Sequence, residues 1–590
     1  MGTKLESYKK LDFLPKENRV WYLYGAGLEN LGKNHLPEDI GLAPIGPEEI
    51  LVRVDAVGLC ASDFKIMNLG ENHPSLIGRD LKKEPVILGH EAAVTIVKVG
   101  EKWASNYHVG ERLCIIPGTY HNGECTSIGY TLPGALESYM VLTDENLEGD
   151  DGAYVVQLKE STGYSEAALV EPWSCVANAY AIHPRTQFAA GGTLCIIGCG
   201  YGMKDEYTFG DVFSESRHPG RVLLIDVPAA FAEKAQVLAV QWNAVCISGT
   251  WDEINPQLSE IAPHGIKDIV CLGTPSRTML ERICEAEIWA DGGILAILST
   301  EPMENPVAFN CRRVHYDSVV IVGATSTCIA DAYRPTRPNY DLKPNGSVIM
   351  VGAGGPMGQM HVQRAVHRKN GPKLLVICDP DTERGKALQD RYGSYMREHD
   401  RKLVVLNSGA YDDDELHKIL LELNGGKFYD DIIICAPVGK LAPQYQPLLA
   451  PGGILNIFAG IMKDFIQEMD ISPIYLSGQR WIGSCGPDYS LFFQLVNEME
   501  HEELDTDSSV AAIGGMNCVW EALKALTEGA FSGKTVIYPY LPDLPLMKLE
   551  DVAQKYPDIG AVMKQGRYWS RAAEAVLLEK MLPEGSNPIL

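Results

Sequence analysis

Basic residues are scarce in this sequence: 51 Lys and Arg stand against 77 Asp and Glu, a formal charge of −26 over 590 residues. That balance argues against a nucleic-acid backbone or an anionic membrane as partner and favours solubility. Long apolar runs are missing as well. No segment has the uninterrupted length that spans a bilayer, and the N-terminal Met-Gly-Thr-Lys-Leu-Glu-Ser-Tyr-Lys-Lys has no apolar stretch behind its charges, so we expect a cytoplasmic protein. Cysteine is sparse too. Fifteen in 590 residues is not the density of a disulfide scaffold, and most should be reduced core or site residues. Cys195, Cys246, Cys271, Cys378 and Cys435 lie inside apolar strand-like runs and read as core. Apolar residues, in contrast, make up 46%, enough to bury the three or four domains that this length implies.

Residues 20–145 carry short β-rich runs such as Glu49-Glu-Ile-Leu-Val-Arg-Val and Ala93-Val-Thr-Ile-Val-Lys-Val, cut by Gly and Pro, which predict a small barrel-like antiparallel domain. From about 165 the apolar spacing turns helical, then gives way to strands alternating with helices, the pattern of a doubly wound parallel sheet. This alternation occurs twice. Thr193-Leu-Cys-Ile-Ile-Gly-Cys-Gly, with Asp226 ending the next strand, matches Ser347-Val-Ile-Met-Val-Gly-Ala-Gly, with Asp379. Lys267-Asp-Ile-Val-Cys then matches Asp430-Asp-Ile-Ile-Ile-Cys, and the turn Asp291-Gly-Gly matches Pro451-Gly-Gly. Finally the stretch 314–323 matches 474–483. Five landmarks in one order predict tandem nucleotide-fold domains, joined by the Pro-rich linker 333–346. Beyond about 508, Gly514-Gly-Met-Asn-Cys-Val-Trp-Glu-Ala-Leu-Lys-Ala-Leu reads as an amphipathic helix leading into a strand at Gly533-Lys-Thr-Val-Ile-Tyr, and Pro583-Glu-Gly-Ser-Asn-Pro as a loose tail.

The loops of the barrel-like domain hold Gly58-Leu-Cys-Ala-Ser-Asp63 and Gly89-His-Glu91, and Glu171-Pro172 follows. Thiolate, imidazole and carboxylate are the donors zinc takes, and a catalytic site keeps one position open. Cys60, His90 and one or both of Glu91 and Glu171 satisfy that count. Ser62 would stand beside the metal, able to pass the proton of a bound alcohol, or else make a loop hydrogen bond. Asp63 could take the far N–H of His90 and fix its tautomer. Of the two glycine turns, Gly352-Ala-Gly354-Gly355-Pro356-Met357-Gly358 runs straight into an apolar-faced helix that can aim its amides at a pyrophosphate. Asp379 would then accept from a ribose diol, favouring NAD over NADP. The turn Gly198-Cys-Gly-Tyr-Gly202-Met has Met203 where a third glycine belongs, and no helix-forming sequence after it, so the first unit is expected to be degenerate.

These strings resemble the zinc-dependent branch of the medium-chain dehydrogenase/reductase superfamily. The resemblance implies an α/β fold, with a GroES-like β-barrel catalytic domain over 1–186 completed by 508–590. Two tandem doubly wound Rossmann-type domains would follow, at 187–343 and 344–507, the second binding NAD. In such enzymes the Cys, His and Glu matched by Cys60, His90 and Glu91 hold the metal, and Glu171 matches a ligand of the sorbitol dehydrogenase branch, which favours Glu171 as the resting ligand with Glu91 close behind. Glu91 and Ser62 are therefore also counted among the catalytic candidates. Lys65 occupies the place of a relay His and could relay a proton, hold an anionic substrate group or simply be exposed. The four-cysteine lobe of many relatives is reduced here to Cys114 and Cys125, which do not close a structural site, so one zinc per chain is expected.

Gly-Pro-Met-Gly-Gln-Met, Val-His-Tyr-Asp and Ser-Gly-Lys-Thr-Val-Ile-Tyr-Pro look most like sorbose 1-phosphate reductase and related polyol dehydrogenases. The implied reaction is a hydride transfer between NAD(H) and a secondary alcohol or ketone of a sugar, polyol or sugar phosphate. We expect a homo-oligomer, dimer or tetramer. The rival readings are an epimerase or lyase that retains its NAD and a non-catalytic NAD-binding scaffold.

Overall fold

A computed structural model describes residues 4–10, 16–213, 215, 217–460 and 466–583. The chain forms two compact units, Met1–Ala177 with Gly486–Leu590, and Asn178–Cys485. Beyond Pro583, the expected loose tail lies outside the described residues. Among the described residues no helix is long and apolar enough to cross a membrane.

The first unit is built on an eight-stranded, mostly antiparallel sheet, as the short β-rich runs predict. Its central strand, Ile50–Gly58, is buried along its whole length. Alternate side chains point to opposite faces of a strand, so Ile50, Val52 and Val54 enter one core and Leu51 the other; a register shift between Val54 and Ala56 then reverses the alternation and sends Ala56 to the second face. On that second face Arg53 donates to Asp55 Oδ1 at 2.8 Å. Tyr8, on the helix Lys4–Lys10, covers the Arg53 guanidinium at 3.5 Å and donates to the same oxygen at 2.7 Å. The two charges in the strand are thus paired rather than solvated. The chain returns at its C-terminal end: Lys534–Tyr538 pairs antiparallel with Ile50–Gly58 through Val536 opposite Gly58. Gly514 and Gly515 close the strand Val510–Gly515, and the helix expected around them begins only at Val519. Residues 486–507, which the sequence groups with the second repeat, lie in this unit. Their helix Tyr489–Glu500 seats Phe492 and Val496 against Cys114 and Tyr154.

The second unit contains both expected parallel sheets. In one, the strands lie in the order Val245–Gly249, Arg221–Ile225, Thr193–Gly198, Ile266–Leu272, Trp289–Leu298, Val320–Ala324. The other repeats that order with Lys402–Asn407, Leu374–Asp379, Ser347–Val351, Tyr429–Ile434, Leu449–Ile457, Arg480–Ile482. In both, the first strand is central and the order reverses beside it, the switch point at which such sheets bind ligands. The Gly-Gly pairs at 292–293 and 452–453 sit inside the fifth strands, not ahead of them, where the ladder with the fourth strand slips by a bulge. Cys195, Cys271 and Cys378 are core, as expected; Cys246, on an edge strand, and Cys435, just past a strand end, are only partly buried.

The acidic residue near the start of each fourth strand has a structural purpose. Asp268 accepts from Arg185 at 3.1 Å and from the Ala189 amide at 2.8 Å. Asp431 accepts from Arg337 at 2.5 Å and from the Lys343 amide at 2.9 Å. Each carboxylate clamps the segment leading into its own sheet, so the Pro-rich stretch 333–346 is docked, with Tyr340 and Leu342 buried. Burial raises both acids, Asp431 to about 6, and the arginines pull the other way. Asp431→Ala leaves Arg337 beside a buried gap and should cost about 3 kcal/mol, read as a lower midpoint of urea unfolding. Asp268→Ala should do the same in the first repeat.

Candidate active site

Two loops of the first unit meet around one carboxylate. Cys60 caps the helix Ala61–Leu69: its amide donates to Asp63 Oδ2 at 2.9 Å, and the Asp63 amide returns a bond to Cys60 O at 3.1 Å. The other oxygen of Asp63 accepts from the Gly89 amide at 2.9 Å, which ties the Gly-His-Glu loop to the Cys60 loop. Burial alone would raise the Asp63 carboxyl, but His90 and these two amides hold it below the usual range. His90 Nδ1 stands 3.7 Å from Asp63 Oδ1, too far for a hydrogen bond. Asp63 therefore positions the chain on both sides of the site and flanks the ring, where the sequence suggests a direct bond to it. His90 is pushed well above its ordinary value: burial lowers it, and Cys60 and Asp63 outweigh that.

The Cys60 thiol, the His90 imidazole and the Glu91 carboxylate offer ligand atoms that all lie within 4.8 Å of one another. Among the described residues no other group of three or more His, Cys, Asp or Glu converges in this way. Glu91 opens the strand Glu91–Val99 and is fully buried. One of its oxygens is held by Lys534; the other has no partner. A Cβ on Gly58 would lie 2.1 Å from that free oxygen, so the carboxylate occupies space that only glycine leaves. An unpartnered buried carboxylate oxygen beside a thiol and an imidazole fits a zinc ion, whose usual donors these are.

Glu171, on the helix Val170–Asn178, is buried but stands outside the group of three, and accepts from the Cys175 thiol at 3.6 Å. Burial lifts it to about 7, His90 and Lys534 lowering it and Glu91 raising it. Ser62 Oγ lies 3.7 Å from Cys60 Sγ. Lys65, on the same helix, bears electrostatically on His73.

Three neighbours escaped the sequence reading. Tyr130 stands near enough to Ser62 for the serine to bear on its titration, and its ring lies 6.0 Å from that of His90; burial raises its hydroxyl to about 12. His73 lies 5.5 Å from Tyr130, ring to ring. Lys534 could have been found, since a lysine opening the buried strand Lys534–Tyr538 demands a buried partner.

In the second unit, the helix Pro356–His367 starts directly after the glycine turn, with Gly355 as a cap that has no side chain to satisfy the first amides. Such a helix end suits a phosphate. A Cβ on Gly358 would meet Ala353 Cα at 2.5 Å, so helix and turn pack backbone to backbone. Asp379 is buried and accepts from the Gly354 amide at 2.7 Å and the Asp381 amide at 2.9 Å, which fixes the turn to the end of the second strand. Gly352, Pro356 and Met357 remain partly accessible around it. The first repeat differs. Among the described residues, 199–220 contain no helix, and Asp226 accepts from the Trp251 amide at 2.8 Å.

Residues 46–148 match the alcohol dehydrogenase GroES-like domain. The chain is 30% identical to L-sorbose 1-phosphate reductase of Klebsiella pneumoniae over 546 residues, covering 92% of this chain and 94% of that one. It is 32% identical to sorbitol dehydrogenase of Bacillus subtilis over 173 residues, 28% of this chain and 45% of that one. Among solved structures it is similar to an alcohol dehydrogenase from Thermotoga maritima, at 14% identity and a TM-score of 0.49, covering 89% of this chain and 99% of that one. Since one relative matches along nearly the whole of both chains, this protein belongs to the zinc-dependent medium-chain dehydrogenase/reductase superfamily.

Proposed function

We propose that this dehydrogenase interconverts a secondary alcohol and a ketone on a sugar, polyol or sugar phosphate, with NAD in preference to NADP. The observation that carries the reading is the convergence of Cys60, His90 and Glu91 around an unpartnered carboxylate oxygen. Similarity to L-sorbose 1-phosphate reductase along nearly the whole chain supports a sugar-phosphate substrate, and similarity to sorbitol dehydrogenase a polyol. A zinc ion held by Cys60, His90 and Glu91, with Glu171 as the alternative carboxylate, would polarise the substrate oxygen while NAD exchanges a hydride with the adjacent carbon.

The chain's own groups then have distinct tasks. Ser62 takes the proton from the substrate hydroxyl in oxidation and returns it in reduction. Tyr130, which stands beside Ser62 and His90, lines the same site. Lys534 balances the charge of Glu91 in a site too buried for solvent to do so. Lys65 is the candidate for a later proton relay or for an anionic substrate group. Gly352, Gly354, Gly355, Pro356, Met357 and Gly358 form the pyrophosphate cradle, and Asp379 receives the ribose while holding the turn. A division into one catalytic domain and two nucleotide-fold domains, 187–343 and from 344 to the unit boundary at Cys485 rather than to 507, a cytoplasmic location and a homo-oligomer belong to the same proposal.

A panel of polyols and sugar phosphates with NAD and NADP, followed at the absorbance of the reduced nicotinamide, tests the activity; no turnover of any member with either cofactor would reject it. Cys60→Ser or His90→Ala should abolish zinc content, measured by elemental analysis, together with turnover. Gly58→Ala should also lower zinc content, because its methyl group displaces the Glu91 carboxylate. Ser62→Ala should keep zinc and NAD while lowering kcat by about 100- to 10,000-fold, the range for a lost general acid or base. Gly358→Val should raise the Kd for NAD by orders of magnitude while Gly202→Val leaves it nearly unchanged; the opposite result in an NAD titration would move the cofactor to the first repeat.

A further inference from the structure

The two repeats are joined by matching elements. The strand Val307–Asn310 of the first pairs antiparallel with Ile466–Met469 of the second, and Ala308 lies directly opposite Glu468. The spacing that carries 308 to 468 also carries 297 to 457, 315 to 475 and 323 to 483, so each of these pairs holds equivalent places in the two repeats. Two equivalent strands crossing at equivalent residues define a local twofold axis through that ribbon.

Contacts away from the axis obey the same symmetry. A Cβ on Gly323 would meet Ile297 O at 2.5 Å in its own sheet and Tyr475 Cβ at 2.3 Å in the other repeat. A Cβ on Gly483 would meet Ile457 O at 3.0 Å in its own sheet and His315 Cα at 3.0 Å in the other repeat. Each sixth strand, at or just past its end, thus uses a glycine to admit the short helix of the opposite repeat, Arg312–Tyr316 or Ser472–Ser477. One apolar core runs through the junction, from Phe309 and Val314 to Met469, Ile474 and Trp481. Arg277 closes its rim with two bonds to Glu468, at 2.7 and 2.9 Å.

A surface that meets its own equivalent about a twofold axis is the isologous pattern of a symmetric dimer. Here both halves come from one chain. We infer that the first repeat serves as a built-in second copy: it closes the pairing face of the second repeat from within the chain, so that a homo-oligomer of this protein must use another surface. This assigns the first repeat a task that needs no cofactor. The pairing elements follow the fifth strand, whereas a phosphate-binding turn follows the first strand, so loss of the helix after Gly202 leaves the pairing intact. The inference is independent of the catalytic reading.

The test is a cross-link in the full chain. Directly opposed residues of an antiparallel pair have Cα atoms about 4.5–5.5 Å apart, within reach of a disulfide. Ala308→Cys with Glu468→Cys, oxidised by diamide, should bond within one chain: a monomer-sized species on a non-reducing denaturing gel, in a yield independent of protein concentration, with the two cysteine peptides linked. A covalent dimer, or no link, overturns the inference. As a second arm, Gly323→Val and Gly483→Val should each speed amide hydrogen exchange in both 320–324 and 480–482. Faster exchange confined to the substituted sheet would show that the two faces do not support each other.

Discussion

The ion pair of Glu91 with Lys534 joins segments 443 residues apart, and both side chains are almost fully removed from solvent. A carboxylate that deep cannot stand alone, since an isolated buried charge costs several kcal/mol. Lys534 therefore has to arrive, and it arrives only because the C-terminal strand Lys534–Tyr538 joins the sheet beside Ile50–Gly58. The arrangement of the candidate metal ligands Cys60, His90 and Glu91 depends on this return of the chain. With one oxygen of Glu91 held by the lysine and the other free, a negative donor is ready beside Cys60 and His90 without full neutralisation.

The same economy recurs around Asp63. One buried carboxylate caps the Cys60 helix through one oxygen and anchors the Gly89 loop through the other. The two ligand-bearing loops are thereby held by backbone hydrogen bonds and do not rely on a metal for their placement. In the second unit Asp268 and Asp431 act alike, each gathering an arginine and a backbone amide at the start of a sheet. Buried acids with several donors thus set the geometry in every part of the molecule, and the acidic surplus of the composition conceals them.

Much of the architecture could be read from local pattern. The five repeated landmarks found both parallel sheets, because strand period and glycine turns are local properties. Cys60 and His90 were legible from their donor types and strings, with Glu171 favoured over Glu91 as the carboxylate; the structure groups Glu91 with them. The boundary near 507 was less visible, since the helix Tyr489–Glu500 has the same apolar spacing whichever core it joins. Tyr130 and His73 gave no signal, because neither lies near Ser62 in sequence. The direct Asp63–His90 bond failed for a similar reason: a carboxylate three residues past Cys60 serves the helix cap first.

By itself, then, the sequence determined the α/β class, the duplication, the donor types for a metal and the better helix for a phosphate, since each rests on spacing within a few dozen residues. Tertiary structure alone decided which carboxylate joins Cys60 and His90, because Glu91 and Glu171 are equally good donors and only distance separates them. It also decided what the first repeat does. A strand such as Val307–Asn310 carries no mark of its partner, and its match with Ile466–Met469 exists only when two surfaces far apart in the chain are folded against each other.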